Sequence, residues 1–170
     1  GQLNIALTAP TGKAATRLQE SIKKAKFGLN CHDSVKAAIP DEASTIHRLL
    51  GSIPNSPSFR FNRENALPFD FVIIDEASMV DLSLFSRLAQ AMRPQSRLIL
   101  LGDKDQLASV EAGSVLGDIC DTGTIHQFSP LFIEECKRVT GEEIDVGRPD
   151  TSAAGMNDCI TQLTKNYRFS

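Results

Sequence analysis

The chain has 170 residues, 41% of them apolar and 23% charged, proportions of a soluble globular protein with room for one domain and a sizeable core. No apolar run approaches the roughly 18 residues a membrane span needs, so the reading is a cytoplasmic protein with no membrane partner. A net charge of −3 argues against a protein that holds nucleic acid by bulk attraction.

The charge is unevenly spread. Residues 1–60 carry 8 Lys+Arg against 4 Asp+Glu, and residues 61–170 carry 10 against 17. A basic front half suits an anionic partner; the alternative is a solvated helix face around "KKAK", Lys23 to Lys26. The cysteines Cys31, Cys120, Cys136 and Cys159 stand far apart with no C-x-x-C pair. Zinc needs clustered ligands, so they read as reduced structural thiols.

In chain order, "LNIALTA" is a short apolar run of the kind buried on both faces of a sheet. The following "TAPTGKAATRL", Thr8 to Leu18, places Gly12 and Lys13 where a phosphate-cradling loop would have its Gly-Lys pair. That loop reads G-x-x-x-x-G-K-[ST]. Leu7 stands at the outer glycine position and Ala14 at the hydroxyl position, so the tight turn and the metal ligand are both missing. This is not a P-loop.

From Lys13 to about Lys26, Ala14, Leu18, Ile22 and Ala25 recur at helical spacing, and Gly28 is expected to end the helix. "STIHRLLG" predicts a short helix capped by Ser44 and closed by Gly51. Residues 54–67, "PNSPSFRFNRENAL", combine turn formers with an alternating "FRF" and predict a loop or a small β-hairpin standing off the body. "FDFVIIDEAS" is a second buried strand, "DLSLFSRLAQAM" an amphipathic helix with Asp81 as its cap, and "SRLILLGDKDQ" a third buried strand. "AGSVLGDIC" starts another helix. Residues 123–160 offer one more, around "SPLFIEECKRVTG", and then a Gly/Asp/Thr-rich segment. Alternation of strand and helix predicts an α/β parallel sheet, whose chemistry gathers at the carboxyl ends of the strands.

"VIIDEAS" delivers Asp75 and Glu76 off such an end. This is the Walker B arrangement: the first carboxylate orients a magnesium that bridges nucleotide phosphates, and the second activates the attacking water. The alternative is an ordinary strand followed by an acidic turn. "LLGDKDQL" repeats the layout and places Gln106, an amide able to donate and accept, where a γ-phosphate or its attacking water would lie.

Taken together, "APTGKAA", "STIHRLLG", "VIIDEAS", "GDKDQLASVEAG" and "NYRF" resemble, in order and approximate spacing, motifs Ia, Ic, II, III and IV of superfamily 1 DNA helicases. The wording of "DEASMVD" and "GDKDQLASVEAG" is most similar to the RecD family, the α chains of exodeoxyribonuclease V. Related helicases often carry Pro where this chain has Ala108. The resemblance implies a RecA-like P-loop NTPase-type fold, ATP and Mg2+ as cofactors, and single-stranded and duplex-end DNA as substrate. It also implies 5′-to-3′ translocation, RecB-like and RecC-like partner subunits, and a role in double-strand-break repair and recombination. Its P-loop would precede Gly1, so the chain is expected to be an excised, inactive piece of a longer protein.

By that resemblance, residues 1–122 are most of the first RecA-like domain, 123–159 a connecting segment and 160–170 the start of a second such domain. Thr11, Gly12 and Lys13 would touch DNA phosphates, Thr45 and His47 would border the track, and Arg168 would reach the γ-phosphate. His47 has a second reading as a packed structural histidine, and Tyr167 reads as packing. The hairpin at 54–67 would sit at the fork as a strand-separating pin. Two rivals remain: a P-loop NTPase that binds no DNA, and an NTPase fold used only as a docking module.

Overall fold

β1 (Ile5–Ala9) owes its place to continuous burial: Ala6, Leu7, Thr8 and Ala9 are all inaccessible, as expected of a strand covered on both faces. It lies inside a parallel four-stranded sheet of order β2-β1-β3-β4, formed with β2 (Ala43–Thr45), β3 (Phe71–Ile74) and β4 (Arg97–Leu100). The computed structural model describes residues 3–104, 115–121, 128–141 and 158–163. Parallel neighbours need crossover connections. α1 (Gly12–Gly28) and α2 (Asp33–Ala38) carry the chain from β1 to β2, and α4 (Leu82–Ala91) carries it from β3 to β4.

α1 (Gly12–Gly28) begins where the Thr11 hydroxyl accepts the Ala14 N–H at 3.2 Å, a side-chain N-cap. Ala15 and Leu18 form its buried stripe. The helix ends at Gly28, as the pattern predicts, and the chain leaves at Leu29 in extended geometry. Lys26 is held by the Ile39 carbonyl at 2.8 Å and by Asp41 at 2.6 Å, tying the helix end to the segment after α2 (Asp33–Ala38). Lys24 stands eleven residues beyond Lys13, about 16 Å along the axis at the helical rise. The "KKAK" run therefore lies toward the end of α1 remote from the carboxyl edge of the sheet, which favours the solvated-face reading for Lys23 and Lys24, while Lys26 is taken up by Asp41.

Two short elements were not visible in the sequence pattern, α2 and β2. Ser44 belongs to β2, and the cap of α3 (Ile46–Leu50) is Thr45, whose hydroxyl accepts the Arg48 N–H at 3.2 Å. Ile46 and Leu50, four apart and both fully buried, seat α3 on the core. Gly51, at φ 71°, closes it in the left-handed region. β4 is the last strand of the sheet among the described residues, with Arg97 exposed and Ile99 39% exposed.

Residues 54–67 form neither a helix nor a two-stranded ribbon. Their pairing is one antiparallel bridge, Ser52 with Phe59, followed by a turn in which Asn62 and Asn65 exchange backbone bonds of 2.9 and 3.2 Å. The segment is anchored to the body. Leu67 is 1% exposed and donates its N–H to the Ala91 carbonyl at 2.7 Å. Two prolines and the asparagine turns shorten the extended stretch below ribbon length.

α4 follows the capping rule, with the Asp81 carboxylate accepting the Leu84 N–H at 2.9 Å. Leu84, Leu88 and Ala91 face the core, each large side chain contributing roughly 1.5–3 kcal/mol of burial. The chain divides into two compact units, Gly1–Asp118 and Ile119–Ser170, so the boundary falls inside α5 (Val115–Cys120). In the second unit, α6 (Pro130–Thr140) is capped by Ser129 and closed by Gly141 at φ 74°. Asp158 accepts from both the backbone and the hydroxyl of Ser129, at 2.6 and 2.7 Å. Residues 164–170, within the segment expected to open a second domain, lie outside the described residues.

Candidate functional site

The register of the sheet brings those predicted residues that are described to one edge. Ile74 pairs with Thr8 and with Leu100, and Ala9 pairs with Thr45. Asp75, Thr45 and Leu101 therefore leave the sheet at about the same level, and Thr11 follows two residues beyond Ala9. Carboxylates and helix starts share the carboxyl edge, where parallel sheets bind ligands.

Asp75 and Glu76 are held there from both sides. The Asp75 N–H donates to the Thr8 carbonyl of β1 at 2.9 Å. On the other side Leu101 N–H donates to Ile74 at 2.8 Å, and Ala77 N–H donates to Leu101 at 2.9 Å. One oxygen of Asp75 accepts the Glu76 N–H at 3.0 Å, which leaves the other for a ligand. Glu76 has φ 55° and ψ 40°, a left-handed conformation that costs a non-glycine residue roughly 1–2 kcal/mol. Such strain persists where the surroundings impose it; here the 3-10 turn Ala77–Met79 and the bonds to β4 do so. Both carboxylates are half-exposed. Their hard oxygens fit Mg2+.

Gly102 was missed as a site residue, although a glycine directly after a strand is a usable signal. An added Cβ would lie 2.9 Å from Leu116 Cδ2, 3.1 Å from the Ala77 nitrogen and 3.2 Å from the Ser78 nitrogen. Glycine lets the exit of β4 pass close to the Asp-Glu turn, where a methyl would need Leu116 to move and the turn backbone to give by a few tenths of an ångström. Ser78 beside it is 3% exposed, and its hydroxyl has no partner among the described residues.

Thr11, Gly12 and Lys13 are exposed at the start of α1, and that first turn carries no acid. Lys13 has no ion pair among the described residues. A lysine at a helix N-terminus opposes the macrodipole, so this end gathers uncompensated positive charge of the kind that receives an anion. Thr45 is half-exposed, its hydroxyl used as a cap acceptor but still able to donate. His47 is exposed, its ring tilted 57° to that of Phe59 at 5.8 Å. Gln106, Arg168 and Tyr167 lie outside the described residues.

Among the described residues no group of three or more His, Cys, Asp or Glu could hold a metal by clustering, and the four cysteines are free. No described helix is long and apolar enough to cross a membrane.

A parallel sheet with flanking helices, carrying adjacent Asp and Glu off a central strand, is the RecA-like α/β architecture of nucleoside triphosphatases. Residues 1–112 match the AAA domain family, and the chain belongs to it. It is similar to the RecBCD enzyme subunit RecD of Haemophilus influenzae, 42% identical over 99% of this chain and 26% of that protein. It is also similar to RecD of Mycobacterium tuberculosis, 53% identical over 69% of this chain and 20% of the relative. The ATP-dependent RecD2 DNA helicase of Deinococcus radiodurans is 40% identical over 79% of this chain and 16% of its own length. The chain thus spans about a quarter or less of these relatives.

Proposed function

We propose that this chain supplies most of the first motor domain of a RecD-like, ATP-driven 5′-to-3′ DNA helicase subunit. One observation carries the reading: Asp75 and Glu76 share a sheet edge with the anion-receptive start of α1. A nucleotide-hydrolysing pair beside a phosphate-binding helix start is what coupling hydrolysis to movement along DNA requires. The family resemblance adds RecB-like and RecC-like partners and work on double-strand breaks.

In this reading Asp75 would hold a magnesium that arrives with ATP, and the ion would supply neutralisation of phosphate charge. Glu76 accepts the proton of the attacking water at its free carboxylate. By the family resemblance, Gln106 and Arg168, both outside the described residues, would be the candidates for contacting the γ-phosphate. The Gly12 and Lys13 amides, the Lys13 ammonium and the Thr11 hydroxyl hold DNA phosphates, with Thr45 and His47 further along the track. The 170 residues include one Gly-Lys pair, flanked by Leu7 and Ala14 rather than by P-loop residues. The isolated chain is therefore expected to release no phosphate from ATP above a blank, in a coupled phosphate assay with or without single-stranded DNA.

Lys13→Ala in the full-length protein tests the DNA half. Binding to single strands should weaken alike for every base sequence, and the log–log salt slope should become shallower by roughly 0.7 for one lost phosphate contact. Affinity for ATP without DNA should stay as it was. Loss of ATP binding with DNA binding spared would instead make Gly12-Lys13 the nucleotide loop.

A further inference from the structure

The loop after α3 and the exposed face of α4 enclose a shallow, half-open cleft lined by Ser58, Phe59, Phe61, Asn62, Arg87 and Gln90. Phe59 is half-buried at its centre, with the exposed His47 ring 5.8 Å to one side and the Arg87 guanidinium 5.8 Å over its face. Arg87 is the one charged residue of α4, and it has no ion pair among the described residues. Residues 44–67 carry three arginines and a single glutamate, a local positive balance in a chain of net charge −3.

We propose that this cleft is a base-stacking subsite for one unpaired nucleobase of single-stranded DNA. It extends the track from His47 onto Phe59, and it rests on the DNA-translocation reading above. The chemistry is specific. The Phe59 ring offers a π-face, Gln90 offers an amide whose oxygen accepts and whose second N–H donates at a base edge, Asn62 is spent holding the loop turn, and Arg87 offers donors that fit a phosphate. A cation over an exposed aromatic ring is worth roughly 0.5–1 kcal/mol, whereas a base stacked on an aromatic side chain is worth roughly 1–3 kcal/mol. A base therefore displaces Arg87 from the ring, and Arg87 turns to the adjoining phosphate. Neither group loses its partner in the exchange. An occupant without a flat face would forfeit the stacking, and an acidic peptide would use the arginines but not Phe59.

The test uses the full-length protein and a series of oligothymidylates, each with one abasic residue at a successive position. For the wild type, one position should cost roughly tenfold in affinity, within the 5- to 150-fold that such stacking implies. In Phe59→Ala that position should cease to matter, with the salt slope unchanged, because no phosphate contact is lost. Phe59→Trp should restore the position-specific penalty, which separates stacking from any general loss of folding. Arg87→Ala should keep the abasic penalty and make the slope shallower by roughly 0.7. If the wild type binds the oligonucleotides but Phe59→Ala shifts every member of the series equally, or none, the subsite is overturned while the DNA reading stands. If the wild type binds no single strand at all, the DNA reading falls and takes the subsite with it.

Discussion

In the full-length protein, Glu76→Gln is expected to lower ATP hydrolysis by roughly 10²–10⁴-fold, the contribution of a positioned proton acceptor, while ATP binding is largely kept. The amide has the same shape and the same backbone preference, so the left-handed turn at φ 55° and the bond from Ala77 N–H to Leu101 should persist. What disappears is the basic oxygen. Asp75→Asn should differ in kind, weakening magnesium-dependent nucleotide binding as well as turnover. Filter binding of labelled ATP beside steady-state hydrolysis separates the two variants. Equal and mild effects from both would favour the docking-module alternative. Glu76→Gly supplies a control on the strain. Glycine relieves roughly 1–2 kcal/mol of backbone cost and loses roughly 0.5–1 kcal/mol to its freer unfolded chain. Its melting temperature should therefore equal or exceed that of the wild type even though hydrolysis is lost. A clear fall in melting temperature would mean that the conformation carries no strain.

Gly102→Ala should show the second large effect, although Gly102 carries no functional group. Leu116 can rotate away from the new methyl, but the Ala77 and Ser78 nitrogens, at 3.1 and 3.2 Å, are backbone and cannot. Overpacking of this kind costs roughly 1–3 kcal/mol, and a chain of this size loses roughly 2–4 °C of melting temperature per kcal/mol. The displaced backbone is the turn that aims Glu76, so hydrolysis should fall together with stability. Lys13-dependent DNA binding, set at the start of α1, should be unaffected. Calorimetry and ATPase assays on the same preparation check this, and an unchanged melting temperature would rule out the close approach.

What the sequence determined by itself is local. β1 and β3 are legible as apolar runs, and α1 and α4 follow from apolar residues three and four apart. Asp81 announces the start of α4 because its carboxylate bonds an N–H three residues away. The Asp75-Glu76 pair, and the failure of Gly12-Lys13 as a P-loop, needed only the order of residues. The tertiary structure decided whatever depends on partners far along the chain. β2 is a strand because Ala43 pairs with Leu7; three residues hold too little pattern to announce that. The order β2-β1-β3-β4, which sets β3 between β1 and β4, likewise follows from pairings far apart in the chain. The 54–67 segment looks like a free pin, yet Leu67 is drawn into the core by the end of α4. Most of all, the left-handed turn at Glu76 is imposed by β1 on one side and β4 on the other, through bonds that no spacing within "VIIDEAS" encodes. Periodicity and capping act over one helical turn or one pleat. Sheet register acts over tens of residues, and it was register that set the acidic pair beside the start of α1.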